Sequence, residues 1–175
     1  ILKSVKYAKK FVGESFFKIY IVDHNSSEKN LKKIEDKFKE YSSEFKMFNL
    51  NLNDFDKKIK KINEKKEKVT LNQISNMSNI YKSLELSKAS TSDLFYFVED
   101  DYIHEENALL EMILTYERIS SQIKNEIIIC PSDYPYLYSK AENTQVYLGE
   151  RYHWRKVNET LCTFLTSKSI IEKHW

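Results

Sequence analysis

Between Asp93 and Tyr102 the chain reads DLFYFVEDDY, a near-continuous apolar run halted by three adjacent acids, Glu99, Asp100 and Asp101. Leu94 to Val98 show no polar alternation, which predicts a central strand covered on both faces, since a half-exposed strand would alternate. The acids then fall at the carboxyl end of that strand, the edge of an open α/β sheet where ligands bind. Adjacent carboxylates repel unless a cation, a proton or a basic group compensates, and a hard divalent ion shared with a phosphate meets that need. The competing explanation is local: the acids open a solvated loop and favour the amino end of the next helix, Glu105 to Arg118, through its dipole.

The rest of the chain supplies alternating partners for such a strand. Leu2, Val5, Ala8 and Val12 give the opening segment, Ile1 to Phe11, a helical period. Phe16 to Val22 (FFKIYIV) reads as a buried strand running into Asp23, His24, Asn25 and Ser26, all turn and cap formers. Ser27 caps a helix over Glu28 to Tyr41, with Leu31, Ile34, Phe38 and Tyr41 on one face. Phe45 to Leu50 follows as a short strand. Leu52, Phe55, Ile59 and Ile62 then suggest a weakly amphipathic helix through the lysine-rich stretch. Thr70 to Lys88 is a firmer one, with Ile74, Met77, Ile80, Tyr81 and Leu84 inward.

After the acid-bearing strand come the helix carrying Leu109, Leu110, Ile113 and Tyr116, and an apolar strand from Glu126 to Cys130. This alternation predicts right-handed crossovers and a mainly parallel sheet. Beyond Pro131 the character changes to Tyr-rich and polar, with Val146 to Leu148 and Thr160 to Thr166 as further strands and Ser167 opening a closing helix. No internal repeat or linker interrupts the sequence, so 175 residues read as one domain with a sizeable core.

Charge narrows the function classes. With 28 basic and 26 acidic residues the net charge is +2, which offers no whole-chain attraction to nucleic acid or an anionic surface. Lysines crowd Lys57 to Lys68, but Glu64 and Glu67 interrupt them and no aromatic residues interleave, the pattern of a solvated segment. Cys130 and Cys162 lack metal-ligand spacing and read as buried free thiols of a reducing compartment. No run reaches the length of a membrane span and no signal peptide opens the chain. Starting at Ile1 and closing at Trp175 within a helical pattern, the sequence reads as a piece of something longer.

Two elements together resemble glycosyltransferases of the GT-A fold, in the style of the family 2 enzymes. IYIVDHNSSEKNLKKI, Ile19 to Ile34, is similar to the family's second strand and turn, with His24 and Asn25 where Asp-Gly is usual. DLFYFVEDDY is similar to the strand bearing its Asp-x-Asp motif, with Glu99 where the first Asp is usual. Asn76 to Lys88 resembles an intervening Asn-containing helix, and order and spacing agree from about Val5 to Met112. PSDYPYLY, Pro131 to Tyr138, and ERYHWRKVNETLCTFL, Glu150 to Leu165, resemble segments of bacterial glycosyltransferase-like sequences.

The resemblance implies an α/β, Rossmann-like three-layer α/β/α architecture with a mainly parallel central sheet, its first strand absent from this chain. Residues 1–130 would be the nucleotide-sugar half and 131–175 the acceptor half. It further implies transfer from a UDP- or GDP-linked sugar to a glycan or lipid-linked acceptor, inverting in stereochemistry, with Mn²⁺ or Mg²⁺, in the cytoplasm or at the inner face of a membrane. Asp23 would meet the nucleobase and Asn79 the nucleotide-sugar. Asp101 would bind the metal, with Glu99 and Asp100 holding the ribose or supporting it, because a leaving diphosphate develops charge that a cation stabilises. His153 would be a further metal ligand or diphosphate contact, and Arg151 or Arg155 would neutralise phosphate.

Deprotonating an acceptor hydroxyl needs a carboxylate, for which Asp133 is the first choice and Glu150 and Glu159 the alternates. Sugar nucleotidyltransferases are disfavoured because only Gly13 and Gly149 are available for a phosphate loop. An aspartyl phosphohydrolase is disfavoured because Asp100-Asp101-Tyr102-Ile103-His104 lacks its motif. The remaining rival is a degenerate GT-A-like domain serving as a nucleotide-binding or assembly module.

Overall fold

In a computed structural model of the chain, residues 1–13, 17–42, 44–59, 61–62, 66–139 and 143–174 are described. The chain is mixed α/β and divides into two compact units: residues 14–89, and a second unit assembled from 1–13 and 90–175.

In the 14–89 unit, strand β1 (Lys18–Asp23) runs parallel to β2 (Glu44–Asn49), and helix α2 (Glu28–Lys39) connects them. The Ser27 hydroxyl accepts from the Asn30 amide at 3.4 Å, so the expected cap starts α2. Phe38 stacks on Phe45 at 6.0 Å and fastens α2 to β2. The strand expected from Phe16 is observed from Lys18, half-buried rather than buried; Phe16 itself lies outside the described residues. The lysine-rich helix is corrected: Leu52–Phe55 forms one 3₁₀ turn, and Ile62 bridges Lys68 antiparallel. Helix-compatible apolar spacing was present, but only Phe55 of that set is buried, so no packing surface sustains a helix. Lys60, Asn63, Glu64 and Lys65 of that stretch lie outside the described residues. Helix α3 (Leu71–Ala89) forms as expected, but Ile80, expected inward, is exposed, and the core position is taken by Ser78, whose hydroxyl donates to the Ile74 carbonyl.

In the second unit, helix α1 (Leu2–Val12) packs through Ser4, Val5 and Ala8 on helix α4 (Ala108–Ile123). Asn107 gives α4 no side-chain cap; the Ser4 hydroxyl of α1 instead accepts from the Leu109 amide at 2.8 Å. Strand β3 (Leu94–Phe97) pairs antiparallel with β6 (Phe164–Ser167), which leads directly into helix α5 (Lys168–His174). Trp175, the end of the expected closing helix, lies outside the described residues. Strands β4 (Val146–Leu148) and β5 (His153–Arg155) form an antiparallel hairpin.

The expected mainly parallel sheet is corrected in this unit. Among the described residues the parallel pairing is confined to β1 and β2, and the sheets have two strands each. The strand expected over Glu126 to Cys130 reduces to one antiparallel bridge, in which Ile129 and Leu165 exchange backbone bonds of 2.9 and 2.8 Å. β6 therefore lies between β3 and Ile129, and Leu165 is almost completely buried. An apolar run states that a segment is covered and leaves open which strand covers it. β3 has one described neighbour, its residues are half-buried, and Val98 is exposed, so the reading of LFYFV as a strand covered on both faces does not hold.

Candidate functional site

β3 ends at Phe97, and the Glu99 amide donates to the Thr163 hydroxyl at 3.3 Å, which holds the strand end against the approach to β6. Glu99, Asp100 and Asp101 follow in an exposed turn, and none of them forms an ion pair or side-chain hydrogen bond among the described residues. The chain beyond is pinned from behind. Tyr102 and Tyr134 share a hydroxyl–hydroxyl bond, and the His104 ring lies between the Tyr96 hydroxyl, 2.7 Å from Nε2, and the Tyr102 carbonyl, 3.3 Å from Nδ1. A neutral His104 with its proton on Nδ1 satisfies both, and burial lowers its pKa toward that state. Burial also raises the Tyr96 and Tyr134 hydroxyls, so both stay protonated donors. Ile103, between the pinned residues, is fully exposed.

Asp133 is not free to act as a base. Tyr138 donates a hydroxyl to its Oδ2, and Arg155 bonds Oδ1 at 2.9 Å with its guanidinium 4.3 Å above the Tyr138 ring. The Tyr138 hydroxyl and the Arg155 charge hold the carboxyl below its usual range, which weakens it as a proton acceptor. Glu150 is ion-paired to Arg118 at 2.9 Å. Glu159 is exposed and makes neither kind of bond among the described residues. Nor does Asp133 follow a neighbour of the acid-bearing strand, because β6 separates Ile129 from β3.

The residue that sequence reasoning missed is Glu111. It is 4% exposed in the first turn of α4 and forms no ion pair among the described residues. Its Oε1 accepts from the Thr115 hydroxyl at 3.1 Å, the Trp154 indole N–H at 3.1 Å and the Tyr152 amide at 3.3 Å, and its Oε2 from the Arg151 amide at 2.9 Å. Four donors stabilise the buried carboxylate and tie the tip of the β4–β5 hairpin to the helix. Thr115 also accepts from the Glu150 amide at 3.2 Å, and Arg118 reaches the Gly149 carbonyl at 2.8 Å. Gly149 fits because it lacks a side chain: a Cβ would stand 2.4 Å from Trp154 Nε1 and 2.6 Å from Thr115 Oγ1. A signal existed in ALLEMILTYER, where an acid interrupts an apolar face with Thr and Arg four and seven positions later.

In the 14–89 unit Asp23 ends β1, but its carboxylate is engaged locally, accepting from the Ser26 amide at 3.1 Å and the Ser26 hydroxyl at 2.6 Å. This is the turn-forming role open to any Asp before a bend, and Asn25 adopts a left-handed φ of 69° within it. His24 Nδ1 bonds the Ser75 hydroxyl at 2.9 Å. Asn79 on α3 has a buried Oδ1 with no hydrogen-bond partner among the described residues.

Of the residues chosen for a metal, Glu99 and Asp101 share the exposed turn, while His153 stands in β5. Among the described residues no three His, Cys, Asp or Glu side chains gather as a metal group. The donor set of the turn fits a hard divalent ion that completes its oxygens from a phosphate and water, as Mg²⁺ does with one or two carboxylates. It does not fit an all-protein cage. Arg151 donates its guanidinium to the Tyr7 hydroxyl at 3.3 Å. Cys130 and Cys162 are free and half-buried, and burial raises the Cys162 thiol. Among the described residues no helix is long and apolar enough to cross a membrane. Comparison with known protein families, with curated proteins and with solved structures returned no match.

Proposed function

We propose that the chain is a metal-dependent glycosyltransferase domain of GT-A type, moving a sugar from a nucleotide-diphosphate donor to a glycan or lipid-linked acceptor. One observation carries the reading: three consecutive carboxylates stand exposed at the end of β3, with no ion pair among the described residues, in a turn held at its ends by the Glu99–Thr163 and Tyr102–His104 hydrogen bonds. A rigid turn that keeps repelling charges together is suited to a ligand that brings positive charge with it. Mn²⁺ or Mg²⁺ bound there would supply Lewis-acid stabilisation of the departing diphosphate. Asp101 and Glu99 would hold the ion and Asp100 the ribose. The ties on Asp133 and Glu150 leave Glu159 as the carboxylate best able to take the acceptor's proton.

The same ties favour a second reading, a nucleotide-binding or assembly module without transfer. Calorimetric titration with UDP and GDP, with and without Mn²⁺, tests the first step: Mn²⁺-dependent binding lost in Asp101→Ala supports the site, and no binding to either nucleotide counts against the transferase and leaves the assembly module. Donor hydrolysis or transfer that disappears in Asp101→Ala separates the enzyme from the module.

A further inference from the structure

Helix α1 carries four lysines, Lys3, Lys6, Lys9 and Lys10, and no acidic residue. Its buried side is Ser4, Val5 and Ala8; Lys3, Lys6 and Lys10 recur on the other side, one turn apart and exposed. Tyr7 and Phe11 share the flank of that face, their rings 5.2 Å apart, with the Lys10 ammonium 5.6 Å above the Tyr7 ring. Phe11 is 62% exposed, an aromatic side chain left in water beside charge. The Arg151 guanidinium joins them through the Tyr7 hydroxyl.

Nearby carboxylates do not neutralise this face. Glu111 is enclosed by its four donors and Glu150 is held by Arg118. Lys3, Lys6, Lys10 and Arg151 form no ion pair among the described residues. Beside Phe11 lies a hollow of about 140 Å³ whose wall mixes Leu110 and Leu114 with Asn107, Glu111, Glu150 and Arg151. An exposed aromatic ring beside lysines that form no ion pair among the described residues suits a ligand offering both an apolar boundary and anions.

We infer that the face of α1 formed by Lys3, Lys6, Tyr7, Lys10 and Phe11, together with Arg151, docks on an anionic lipid bilayer. Lysine stems reach along the helix to bring their ammonium groups to the headgroups, and Phe11 enters the boundary between headgroups and acyl chains. One short helix face gives reversible, salt-sensitive attachment rather than insertion. Single-stranded nucleic acid is the other polyanion to consider, but it is read by a succession of open aromatic faces along a groove, and α1 offers one outward ring on a convex surface. The inference uses no residue of the acid turn, so it stands or falls apart from the transferase reading.

The test is co-sedimentation of the full chain with phosphatidylcholine vesicles, with and without phosphatidylglycerol. Binding is expected only to the phosphatidylglycerol vesicles, declining as salt rises. Each of Lys6→Gln and Lys10→Gln should weaken it about fivefold, and Phe11→Ser about tenfold. These side chains are exposed, so the variants keep the fold, checked by circular dichroism. Absence of binding to the anionic vesicles, equal binding to both vesicle types, or unchanged binding by the folded Lys6→Gln/Lys10→Gln variant overturns the inference. So does retention of single-stranded RNA by a chain that ignores the anionic vesicles.

Discussion

Replacing Glu111 by Gln changes one atom's chemistry and little volume, so it isolates the hydrogen-bond bookkeeping at the hairpin anchor. The carboxylate accepts three bonds on Oε1 and one on Oε2. A glutamine must place its NH₂ at one of these positions. Directed at the Oε2 position, it faces the Arg151 amide, donor against donor; directed at Oε1, it faces three donors. The first orientation is therefore preferred. It costs about 1–3 kcal/mol for one unsatisfied amide, and it replaces three charge-assisted bonds by neutral ones of about half the strength. Relief of the carboxylate's desolvation offsets part of that loss.

A net destabilisation of about 2 kcal/mol follows, equivalent to a fall of about 1 M in the urea midpoint. Trp154 donates to the same oxygen, so its emission in a Trp175→Phe background reports the unit directly. An Asp101→Ala chain run alongside shows the effect of removing an exposed acid. A Glu111→Gln midpoint equal to or above the parent's, with unshifted Trp154 emission, would show that the four bonds do not anchor the hairpin.

Gly149→Ala should destabilise by about 1–3 kcal/mol, because the new methyl displaces the Trp154 indole from Glu111; a red-shifted emission accompanying the loss is the expected signature. Ser4→Ala strands the Leu109 amide in a buried position and should cost about 1–2 kcal/mol, read from thermal unfolding. The Tyr96 and Tyr134 hydroxyls have folded pKa values raised above the unfolded value of about 10, so the unfolded chain loses those protons first. Stability should be constant with respect to them below pH 10 and decline above it by up to about 1.4 kcal/mol per pH unit for each; Tyr96→Phe should flatten that slope in alkaline urea titrations. Asp133 titrates in the opposite sense: its lowered pKa contributes stability above the unfolded value that is lost as pH falls through the folded one. The cost of Asp133→Asn should therefore shrink as the solution is acidified below pH 4.

Local signals in the sequence translated well into elements. Ser27 capped α2, the turn formers Asp23 to Ser26 ended β1, and the apolar periods of α1, α3 and α4 marked real helices. What did not translate were choices of partner. Nothing in LFYFV or TLCTFLT states that these two strands pair with each other, antiparallel, rather than each joining a parallel sheet, because pairing is decided by residues some 70 positions apart. The same holds for the site. The acid turn was legible because like charges at a strand end are unusual wherever they occur. That Asp133 is tied to Tyr138 and Arg155, and Glu150 to Arg118, depends on how the hairpin folds back on α4, which composition does not encode.

The second unit is written in two pieces, 1–13 and 90–175. During synthesis at about 5–20 residues per second, α1 leaves the ribosome several seconds before α4 exists to cover Val5 and Ala8. The 14–89 segment, whose strand pairings among the described residues are internal to it, can complete its parallel strand pair during that interval. β3 in its turn waits for its pairing partner, Phe164–Ser167. Chains cut before Phe164 would present β3 as an open apolar edge, an invitation to aggregation and to chaperones. The newborn chain thus keeps β3 open until four distant residues, Phe164 to Ser167, arrive to pair with it.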